Sequence, residues 1–496
     1  MTGGAFVGGG DADGQPYRYE TDSTAAALHD AFDGIDDGSE TGTVVSIAGR
    51  LMLRRVQGKL AFATLADSTG RVQLFAPQKT TPQFDDFTGR SIGDWIGVRG
   101  EVMKTRRGEL SVRVDEWTSL ARTRRPFPDK WKGITDPDTR YRQRYVDLWV
   151  TPDARDTFVL RSRLLSLTRR WLEERDFLEV ETPVFHPIPG GALARPFSTH
   201  HNALDQELFL RIAPELYLKR LTVAGFERVF EIARVFRNEG LSTRHNPEFT
   251  MLEAYQAYAD WDDIMVLVEE LIAHLAVELT GSTTVTYDGR DVDLATPWRR
   301  ATLPELVAER TGVQVSLEDG LDRLRDVAAE LGVPVDDAHG AGKILLEIYE
   351  KTTEPHLWGP IFVTEYPKEV SPLARDHRST PGMTERFEAI IAGRELCNGF
   401  TELTDAVEQR ARFDEQATQK AAGDDEAMVV DEDYLRALDY GLPPTGGIGI
   451  GIDRLVMLLA DVTTIRDVIL FPTLRPEQTG APSGGSVDND QGEDVD

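Results

Sequence analysis

Short runs of alternating hydrophobic and polar residues fill the chain from about residue 43 to residue 120. Many of their residues are β-branched or aromatic, and turn-forming residues separate the runs at 68–70 and 107–108. Five such runs predict a small closed β-barrel, and the OB-fold fits this spacing best. We therefore predict an OB-fold domain over residues 41–123. The five predicted strands are residues 44–48, 61–65, 72–75, 95–98 and 110–114.

The pattern changes from residue 153 onward, where helical and strand-like segments mix. Apolar residues recur at helical spacing over residues 157–175 and predict a long amphipathic helix. Two pairs of predicted strands follow, and a helix-rich insertion at about 281–375 separates the pairs. Strands joined by hairpins and flanked by helices predict an antiparallel α+β domain over residues 153–476, not a doubly wound sheet. These strands are residues 229–236, 248–255, 387–391 and 397–403.

Three segments lack the periodicity of a folded domain. Residues 1–40 are rich in Gly and Asp at first and weakly helical at residues 25–32, and they are predicted to be a flexible acidic lead-in. Residues 124–152 begin with Arg and Pro and are predicted to be a linker, and residues 477–496 a disordered acidic tail. No segment reaches the roughly 18 apolar residues of a membrane span, and the first 40 residues do not resemble a secretory signal.

Cys397 is the single cysteine in the 496 residues. One chain therefore holds no disulfide framework and no cysteine-based zinc site. This cysteine usage is typical of the reducing cytosol, and we predict a cytoplasmic protein that does not contact a membrane.

Charge is distributed unevenly along the chain. The formal net charge is −29, and 45 of the 55 basic residues are arginine. An acidic, lysine-poor composition is expected in a halophilic cell with high internal salt, because salt screens the repulsion. Residues 41–150 nevertheless carry 20 basic and 12 acidic side chains. This basic island predicts contact with a polyanion such as RNA, with a solvated basic surface as the alternative.

The first candidate site is a strand, a polar loop and a returning strand between residues 229 and 255. The chain has neither a P-loop nor a dinucleotide-binding glycine motif, so bound phosphates would need arginines and a metal ion. On the returning strand, alternation places Phe249, Met251, Glu253 and Tyr255 on one face. An aromatic ring, a carboxylate and a phenol on one face indicate a ligand site, with a half-exposed sheet as the alternative.

A second candidate site lies between residues 388 and 402. Asn398, Phe400 and Glu402 alternate onto one face of a predicted strand, and Glu388 and Glu395 precede them. Two neighbouring carboxylates in a phosphate site favour a bound Mg²⁺. For a single Glu, a surface ion pair would be the simpler interpretation.

Glycines alternate with isoleucines in a third segment, residues 447–452. Glycine weakens a strand unless something must approach its backbone closely. We predict that a flat nucleotide lies on the glycine face, and that Arg454 opens the next helix and is directed toward a phosphate.

These segments resemble the three signature motifs of class II aminoacyl-tRNA synthetases. The motifs are FLEVETP at residues 177–183, FRNE at 236–239 and GIGIDR at 449–454. Within that class, the resemblance to lysyl-tRNA synthetases is close over about residues 16–476. It includes PGGA at 189–192, APELYLKR at 213–220 and NGFTE at 398–402.

The resemblance implies an OB-fold followed by a class II antiparallel catalytic domain, assembled as a homodimer through the first motif. It also implies the reaction. L-lysine would be activated with ATP and Mg²⁺ to lysyl-adenylate and pyrophosphate, and lysine would then be transferred to the 3′ end of tRNA(Lys).

For ATP, the resemblance implies a role for each residue of the site. Arg237 would contact the α-phosphate and Arg454 the γ-phosphate, so these two are the implied catalytic residues. Phe249 would stack on adenine, and Glu388 and Glu395 would hold Mg²⁺. The implied ATP-binding residues are Arg237, Glu239, His245, Asn246, Phe249, Gly451 and Arg454.

For the amino acid and the RNA, the resemblance implies two further sets. Glu402 and Tyr255 would meet the ε-ammonium of lysine, and Phe400 would line its aliphatic stem. Stacking combined with amide and charged side chains would read the anticodon. The implied lysine-binding residues are Gly191, Glu215, Glu253, Tyr255, Asn398, Phe400 and Glu402. The implied anticodon-binding residues are Arg55, Phe62, Gln73 and Glu109.

Two alternatives stay open at this point. Aspartyl- and asparaginyl-tRNA synthetases share the architecture, but an aspartate site would need a cation, and Glu402 with Tyr255 suits an ammonium. An inactive RNA-binding paralogue is the other alternative, against which the intact phosphate and metal residues argue. In the barrel, the alternative for Phe62 is a place in the core.

Overall fold

The computed structural model describes residues 15–128, 133–421, 423 and 427–477. They form two compact units, Met1–Thr151 and Pro152–Asp496. The first 14 residues of the predicted lead-in, and all but the first residue of the predicted acidic tail, lie outside the described residues.

The first unit contains a six-stranded barrel with the strand order β1-β2-β3-β5-β4-β6, closed by an additional β1–β4 pairing. Strand β1 is long enough for its first half to pair with β4 and its second half with β2. The predicted barrel is thus present. The sequence pattern does not reveal β6, because none of its side chains is buried. The strands are β1 (Glu40–Gln57), β2 (Leu60–Ala66), β3 (Arg71–Pro77), β4 (Trp95–Lys104), β5 (Leu110–Arg113) and β6 (Glu116–Ala121).

Helix α1 (Ala25–Phe32) lies within the segment that was predicted to be flexible, residues 1–40. Its Ala25 and Leu28 are buried in the barrel core. The carboxylate of Asp67, in the barrel, accepts a hydrogen bond from the backbone of Ala25 at 2.7 Å. The described part of the lead-in is therefore ordered, because contacts with the barrel stabilise a helix that is too short to be stable alone.

The predicted linker, residues 124–152, contains two short helices, α3 (Pro137–Arg142) and α4 (Arg144–Val150). Arg144 and Asp147 are fully buried and pair at 2.7 Å. Such burial depends on tertiary contacts, which the local Arg- and Pro-rich composition does not reveal. A further short helix, α2 (Phe84–Thr88), packs its two phenylalanines into the barrel core.

The second unit contains an eight-stranded sheet with the order β15-β16-β17-β18-β19-β12-β11-β7. The central pairings are antiparallel, and the outermost pair at each edge is parallel. The predicted antiparallel domain is therefore confirmed. Its strands are β7 (Leu178–Glu179), β11 (Arg228–Phe236), β12 (Glu248–Ala257), β15 (Arg299–Thr302), β16 (Ile361–Pro367), β17 (Met383–Ile391), β18 (Arg394–Thr401) and β19 (Thr445–Gly451).

Three helices pack on one side of this sheet, α5 (Pro152–Glu173), α7 (Trp261–Thr280) and α13 (Ile452–Leu459). The isoleucines of β19, Ile448 and Ile450, are buried in the same cluster. Burying this side fixes the opposite side of β19, where the glycines lie, as the side that is available to a ligand.

The insertion predicted at residues 281–375 is only partly helical. Helices α8 (Leu303–Thr311), α9 (Gly320–Glu330) and α10 (Ala341–Thr352) share a core with β15 and β16, which extend the large sheet. A hairpin, β13 (Thr284–Tyr287) with β14 (Arg290–Asp293), precedes them. Strand β16 is buried on both faces, so it lacks the alternation that would separate it from a buried helix.

The remaining elements complete the second unit. A small sheet has the order β8-β10-β9. Among the described residues, no helix combines the length and apolarity needed to cross a membrane. These elements are β8 (Phe185–His186), β9 (Ser198–His201), β10 (Gln206–Leu210), α6 (Glu215–Val223), α11 (Ala406–Ala421) and α12 (Glu432–Asp439).

Candidate active site

Strand β19 lies between β12 and β18, so its glycines separate two rows of side chains. The predicted period-two patterns on these strands therefore meet across one sheet surface. The flanking pairs are Tyr255 and Phe400 around Gly447, and Glu253 and Asn398 around Gly449.

Gly447 leaves room for protein side chains rather than for a nucleotide. A β-carbon at this position would overlap Oε1 of Glu402 and would lie 2.6 Å from Cε1 of Tyr255. At Gly451, by contrast, the nearest atom would be 3.6 Å away, an ordinary contact. The prediction of a nucleotide along the whole glycine face therefore needs correction, since Glu402 and Tyr255 cover its Gly447 end.

A buried cluster of charges forms this end of the site. The Lys219 ammonium lies 2.6 Å from Oε1 of Glu215 and pairs closely with Oε2 of Glu402. Lys219 and Glu402 have no exposed surface, and Glu215 is 6% exposed. The ring of Phe400 lies 5.3 Å from the same ammonium. The cluster therefore brings Glu215, Phe400 and Glu402 together around a residue for which no role was predicted.

Burial raises the pKa of both Glu215 and Glu402, and the neighbouring Lys219 ammonium opposes that rise. The two carboxylates in turn raise the pKa of Lys219 against the effect of its burial, so the ammonium keeps its proton. The pocket thus contains a cation, but two carboxylates face it. Two carboxyl groups beside one cation suit an ammonium ligand and not a carboxylate.

Lys219 could have been found from the sequence. It follows Glu215 by four residues in a helical segment, a spacing at which opposite charges pair. Its second partner, Glu402, lies directly after β18 and is far away along the chain.

Glu253 and Tyr255 extend the cluster along β12. The Tyr255 hydroxyl donates to Oε2 of Glu253 at 3.2 Å, and both residues are 3% exposed. Burial, and then the charge of Glu215, raise the pKa of Glu253 well above its ordinary value. Gly191 adopts a φ of 87°, and a β-carbon there would lie 3.1 Å from Cβ of Glu215. Three of the implied lysine-binding residues, Gly191, Glu215 and Glu253, therefore lie in one region.

Arg386 of β17 forms hydrogen bonds with two of the predicted site residues, Asn398 and Glu388. Its Nε donates to Oδ1 of Asn398 at 2.9 Å, and its terminal nitrogen donates to Glu388 at 2.6 Å. No role was predicted for Arg386, because its contacts arise from the pairing of β17 with β18. Asn398 is thereby oriented by a fixed cation.

The two predicted catalytic arginines, Arg237 and Arg454, contact different site residues. The Arg237 guanidinium lies over the ring of Phe249 at 5.1 Å, and Arg454 donates to a carboxylate oxygen of Glu395 at 3.0 Å. Both arginines are partly exposed, in contrast to the fully buried Lys219. A guanidinium over an aromatic ring forms a flat surface on which a base could stack.

The polar loop between β11 and β12 carries the other predicted ATP residues. Glu239 and His245 are exposed, and Nδ1 of His245 lies 3.1 Å from the Ser242 hydroxyl. Asn246 is buried, and its side chain donates to the backbone oxygen of Glu248 at 2.6 Å. Partial desolvation of the imidazole ring, and then the charge of Arg454, lower the pKa of His245.

Glu388 and Glu395 lie on adjacent strands, β17 and β18. Burial, and then the charge of Glu395, raise the pKa of Glu388 to about 7. Burial would also raise the pKa of Glu395, but the guanidinium groups of Arg454, Arg237 and Arg386 together outweigh it and lower that pKa. Two interacting carboxylates fit a divalent cation, although no group of three potential ligands occurs within the described ranges. Phosphate oxygens and water would have to complete the coordination.

Asp453 fixes the start of α13, directly before Arg454. Its carboxylate accepts hydrogen bonds from Arg161 of α5 at 2.5 Å and from the backbone of Thr250 at 2.7 Å. Arg161 was not predicted to take part, since it and Asp453 lie 292 residues apart along the chain.

In the first unit, the predicted anticodon residues share an outward region of the barrel. Arg55 pairs with Phe62 across β1 and β2, and its guanidinium lies 5.9 Å from that ring. Gln73 donates to the Ser111 hydroxyl, which donates to the backbone oxygen of Glu109. Phe62 is only partly buried and lies outside the barrel core, so the alternative of a core phenylalanine is wrong.

Comparison with known families agrees with both units. Residues 136–475 match the tRNA synthetases class II (D, K and N), and residues 45–120 match the OB-fold nucleic acid binding domain. The fold and the site therefore define a class II aminoacyl-tRNA synthetase.

Individual relatives narrow the class further. The chain is 54% identical to a lysine–tRNA ligase of Synechococcus sp. (strain RCC307), over 96% of this chain and 95% of that protein. It is 53% identical to lysine–tRNA ligases of Parasynechococcus marenigrum (strain WH8102) and Trichormus variabilis (strain ATCC 29413 / PCC 7937). These alignments cover 94% and 93% of this chain, and 95% and 85% of the two relatives. The chain belongs to the lysine–tRNA ligase family.

Proposed function

We propose that the protein activates L-lysine with ATP and transfers it to tRNA(Lys), with residues 153–476 catalysing the chemistry and residues 41–123 reading the anticodon. One observation supports lysine above all. Glu402 is fully buried, neither of its carboxylate oxygens has a hydrogen-bond partner among the described residues, and only Oε2 is in an ion pair, with Lys219. An unpaired carboxylate oxygen in a buried site is costly, and a substrate ammonium would satisfy it.

The proposed chemistry needs positioning and charge stabilisation. The lysine carboxylate attacks the α-phosphorus, a P–O bond forms, and the bond to pyrophosphate breaks. Arg237 and Arg454 stabilise the negative charge that develops on the phosphates. Phe249 stacks on adenine beside Arg237. A terminal hydroxyl of the tRNA then attacks the carbonyl of lysyl-adenylate, and AMP leaves.

Mg²⁺ is proposed as the cofactor, held by Glu388 and Glu395. It would neutralise charge on the phosphate oxygens when it is bound. Arg386 and Arg454 pair with these carboxylates and keep them oriented.

The protein is further proposed to be a cytoplasmic homodimer, adapted to high internal salt. Apolar side chains at and beside the first motif support the dimer, since Leu178 is 48% exposed and Phe185 is 54% exposed. Exposed apolar residues grouped in this way indicate an interface. Light scattering in molar salt should give twice the 55.3 kDa chain mass. A fully active monomer would contradict the proposal.

The activity test is ATP–pyrophosphate exchange with L-lysine, L-aspartate and L-asparagine in parallel. We expect exchange with lysine alone. Exchange with aspartate or asparagine would favour that branch of the class, and no exchange with any of the three would favour an inactive RNA-binding paralogue.

A further inference from the structure

Lys219 is a fully buried cation that the reaction proposed above does not use. It is held on helix α6 and contacts Glu215 of the same helix and Glu402 after β18. Burying a charge is costly unless its partners compensate for it. The presence of the Lys219 side chain in the pocket that is proposed to bind the substrate therefore needs an explanation.

We infer that Lys219 is a positioning residue for the proposed lysine site, which keeps Glu402 charged, holds its Oε2, and leaves Oε1 to bind the ε-ammonium of the substrate. This inference rests on the proposed function. Lys219 itself does not contact the reacting atoms.

The geometry separates the two oxygens of Glu402. Neither oxygen has a hydrogen-bond partner among the described residues, but Oε2 forms an ion pair with the Lys219 ammonium, while Oε1 points toward the space beside Gly447 and Tyr255. A carboxylate can accept from two ammonium groups at once, because it has two oxygens with several lone pairs. The chain therefore supplies one ammonium and leaves the other position to a ligand.

The charges that face the cluster support the same conclusion. The anionic and phenolic groups come from four elements, and two cations oppose them. Three carboxyl groups face two cations in this cluster, and an excess of carboxyl groups suits an ammonium ligand. The groups are Glu215 and Lys219 of α6, Glu253 and Tyr255 of β12, Arg386 of β17, Glu402 after β18, and Tyr434 of α12.

The two carboxylates depend on Lys219 to different extents. Burial raises the pKa of both, and Arg386 helps Lys219 to oppose this effect at Glu215. At Glu402, the opposing cation is Lys219 alone among the described groups that act on it. Removing Lys219 would therefore raise the pKa of Glu402 further and favour its neutral form, and a neutral carboxyl binds an ammonium weakly.

The test measures the KM for L-lysine in ATP–pyrophosphate exchange with two uncharged variants, Lys219→Met and Lys219→Gln. Both should raise this KM about 10- to 150-fold at pH 7, the loss expected when one charge-assisted hydrogen bond is removed. The KM for ATP should stay within about twofold of wild type. Gln can still donate a hydrogen bond, so a merely structural role predicts that Gln restores the wild-type KM.

The pH profile supplies a second readout. A group whose pKa is raised regains its charge as the pH rises, so the variant-to-wild-type ratio of lysine KM should fall between pH 7 and pH 9. The substrate ε-ammonium stays protonated over this range, since its pKa is about 10.4. A ratio that does not change with pH would overturn the inference.

Lys343→Met is the matched control. Lys343 also pairs with a glutamate four residues away, Glu347, at 2.9 Å on helix α10, but it is partly exposed. This variant should keep the wild-type lysine KM.

A normal lysine KM in both Lys219 variants would refute the inference while leaving the proposed function intact, whereas a wild type without lysine-dependent exchange would refute the proposed function itself. Thermal melting of each variant identifies misfolded protein, and if Met fails to fold, Gln decides.

Discussion

The lysine end of the catalytic site and the outward region of the barrel hold their polar side chains in opposite ways. In the catalytic site, Glu215, Lys219 and Glu402 are buried and compensate one another. On the barrel, Arg55 and Glu109 are exposed and Phe62 is partly exposed. Removing a buried partner leaves an uncompensated charge, whereas removing an exposed side chain costs only the contact that it makes.

This difference suits two kinds of ligand. A small amino acid with fixed charges is recognised by a preorganised, dry site, in which the charges are set before binding. Single-stranded bases are flat and mobile, and partly exposed aromatic rings can stack on them. Substitutions in the catalytic site should therefore have larger effects, and each unit should affect its own reaction.

The largest effect is expected for Arg237→Ala. Removing a cation that stabilises developing phosphate charge costs about 10³-fold or more in rate. Lysine-dependent ATP–pyrophosphate exchange measures it. Arg234→Ala is the matched control, because Arg234 lies on β11 three residues before Arg237 and is exposed beside Glu248. Equal losses in both variants would mean that Arg237 acts only through the fold.

Glu402→Gln should lower kcat/KM for lysine about 10- to 150-fold. The change keeps the shape and removes one charge, and a charge-assisted hydrogen bond contributes about 1.5–3 kcal/mol. The KM for ATP should change little. Near-normal lysine kinetics would remove Glu402 from the pocket.

Gly447→Ala tests the close approach of Glu402 to β19. The added methyl group would overlap Oε1 of Glu402, and a displacement of about 1 Å can cost up to about 100-fold. We expect a higher KM for lysine and an unchanged KM for ATP. Gly359→Ala should leave both KM values unchanged, since no atom lies within 4 Å of an added β-carbon and the φ of Gly359 lies outside the left-handed region. An unchanged lysine KM in Gly447→Ala would contradict the geometry.

The parts of the site that follow local rules could be predicted from the sequence. Alternation on β12 and β19 places Glu253 opposite Gly449 and Tyr255 opposite Gly447, because a strand repeats every two residues. The strands of the barrel were predicted for the same reason. The order of β12, β19 and β18 was not predictable, since it depends on pairing between distant segments.

The ion-pair and hydrogen-bond partners of the site residues could not be predicted from local sequence patterns. Lys219 meets Glu402, Arg386 meets Asn398, and Arg161 meets Asp453 only after the sheet and helices assemble. Helix α1 shows the same limit, because its stability comes from the barrel core and not from its own sequence. Sequence patterns therefore predicted most of the candidate ligand-binding groups but not the residues that orient them.

The division of labour between the two units is tested most directly by Phe62→Ala. This change removes one stacking surface, worth about 1–3 kcal/mol per base. We predict lysine-dependent ATP–pyrophosphate exchange within about twofold of wild type, while kcat/KM for tRNA aminoacylation falls roughly 5- to 150-fold. The melting temperature should stay near wild type, unlike that of Phe87→Ala, which removes a buried core ring. Equal loss in both reactions would contradict the division of labour, and unchanged aminoacylation would contradict the proposed role of Phe62.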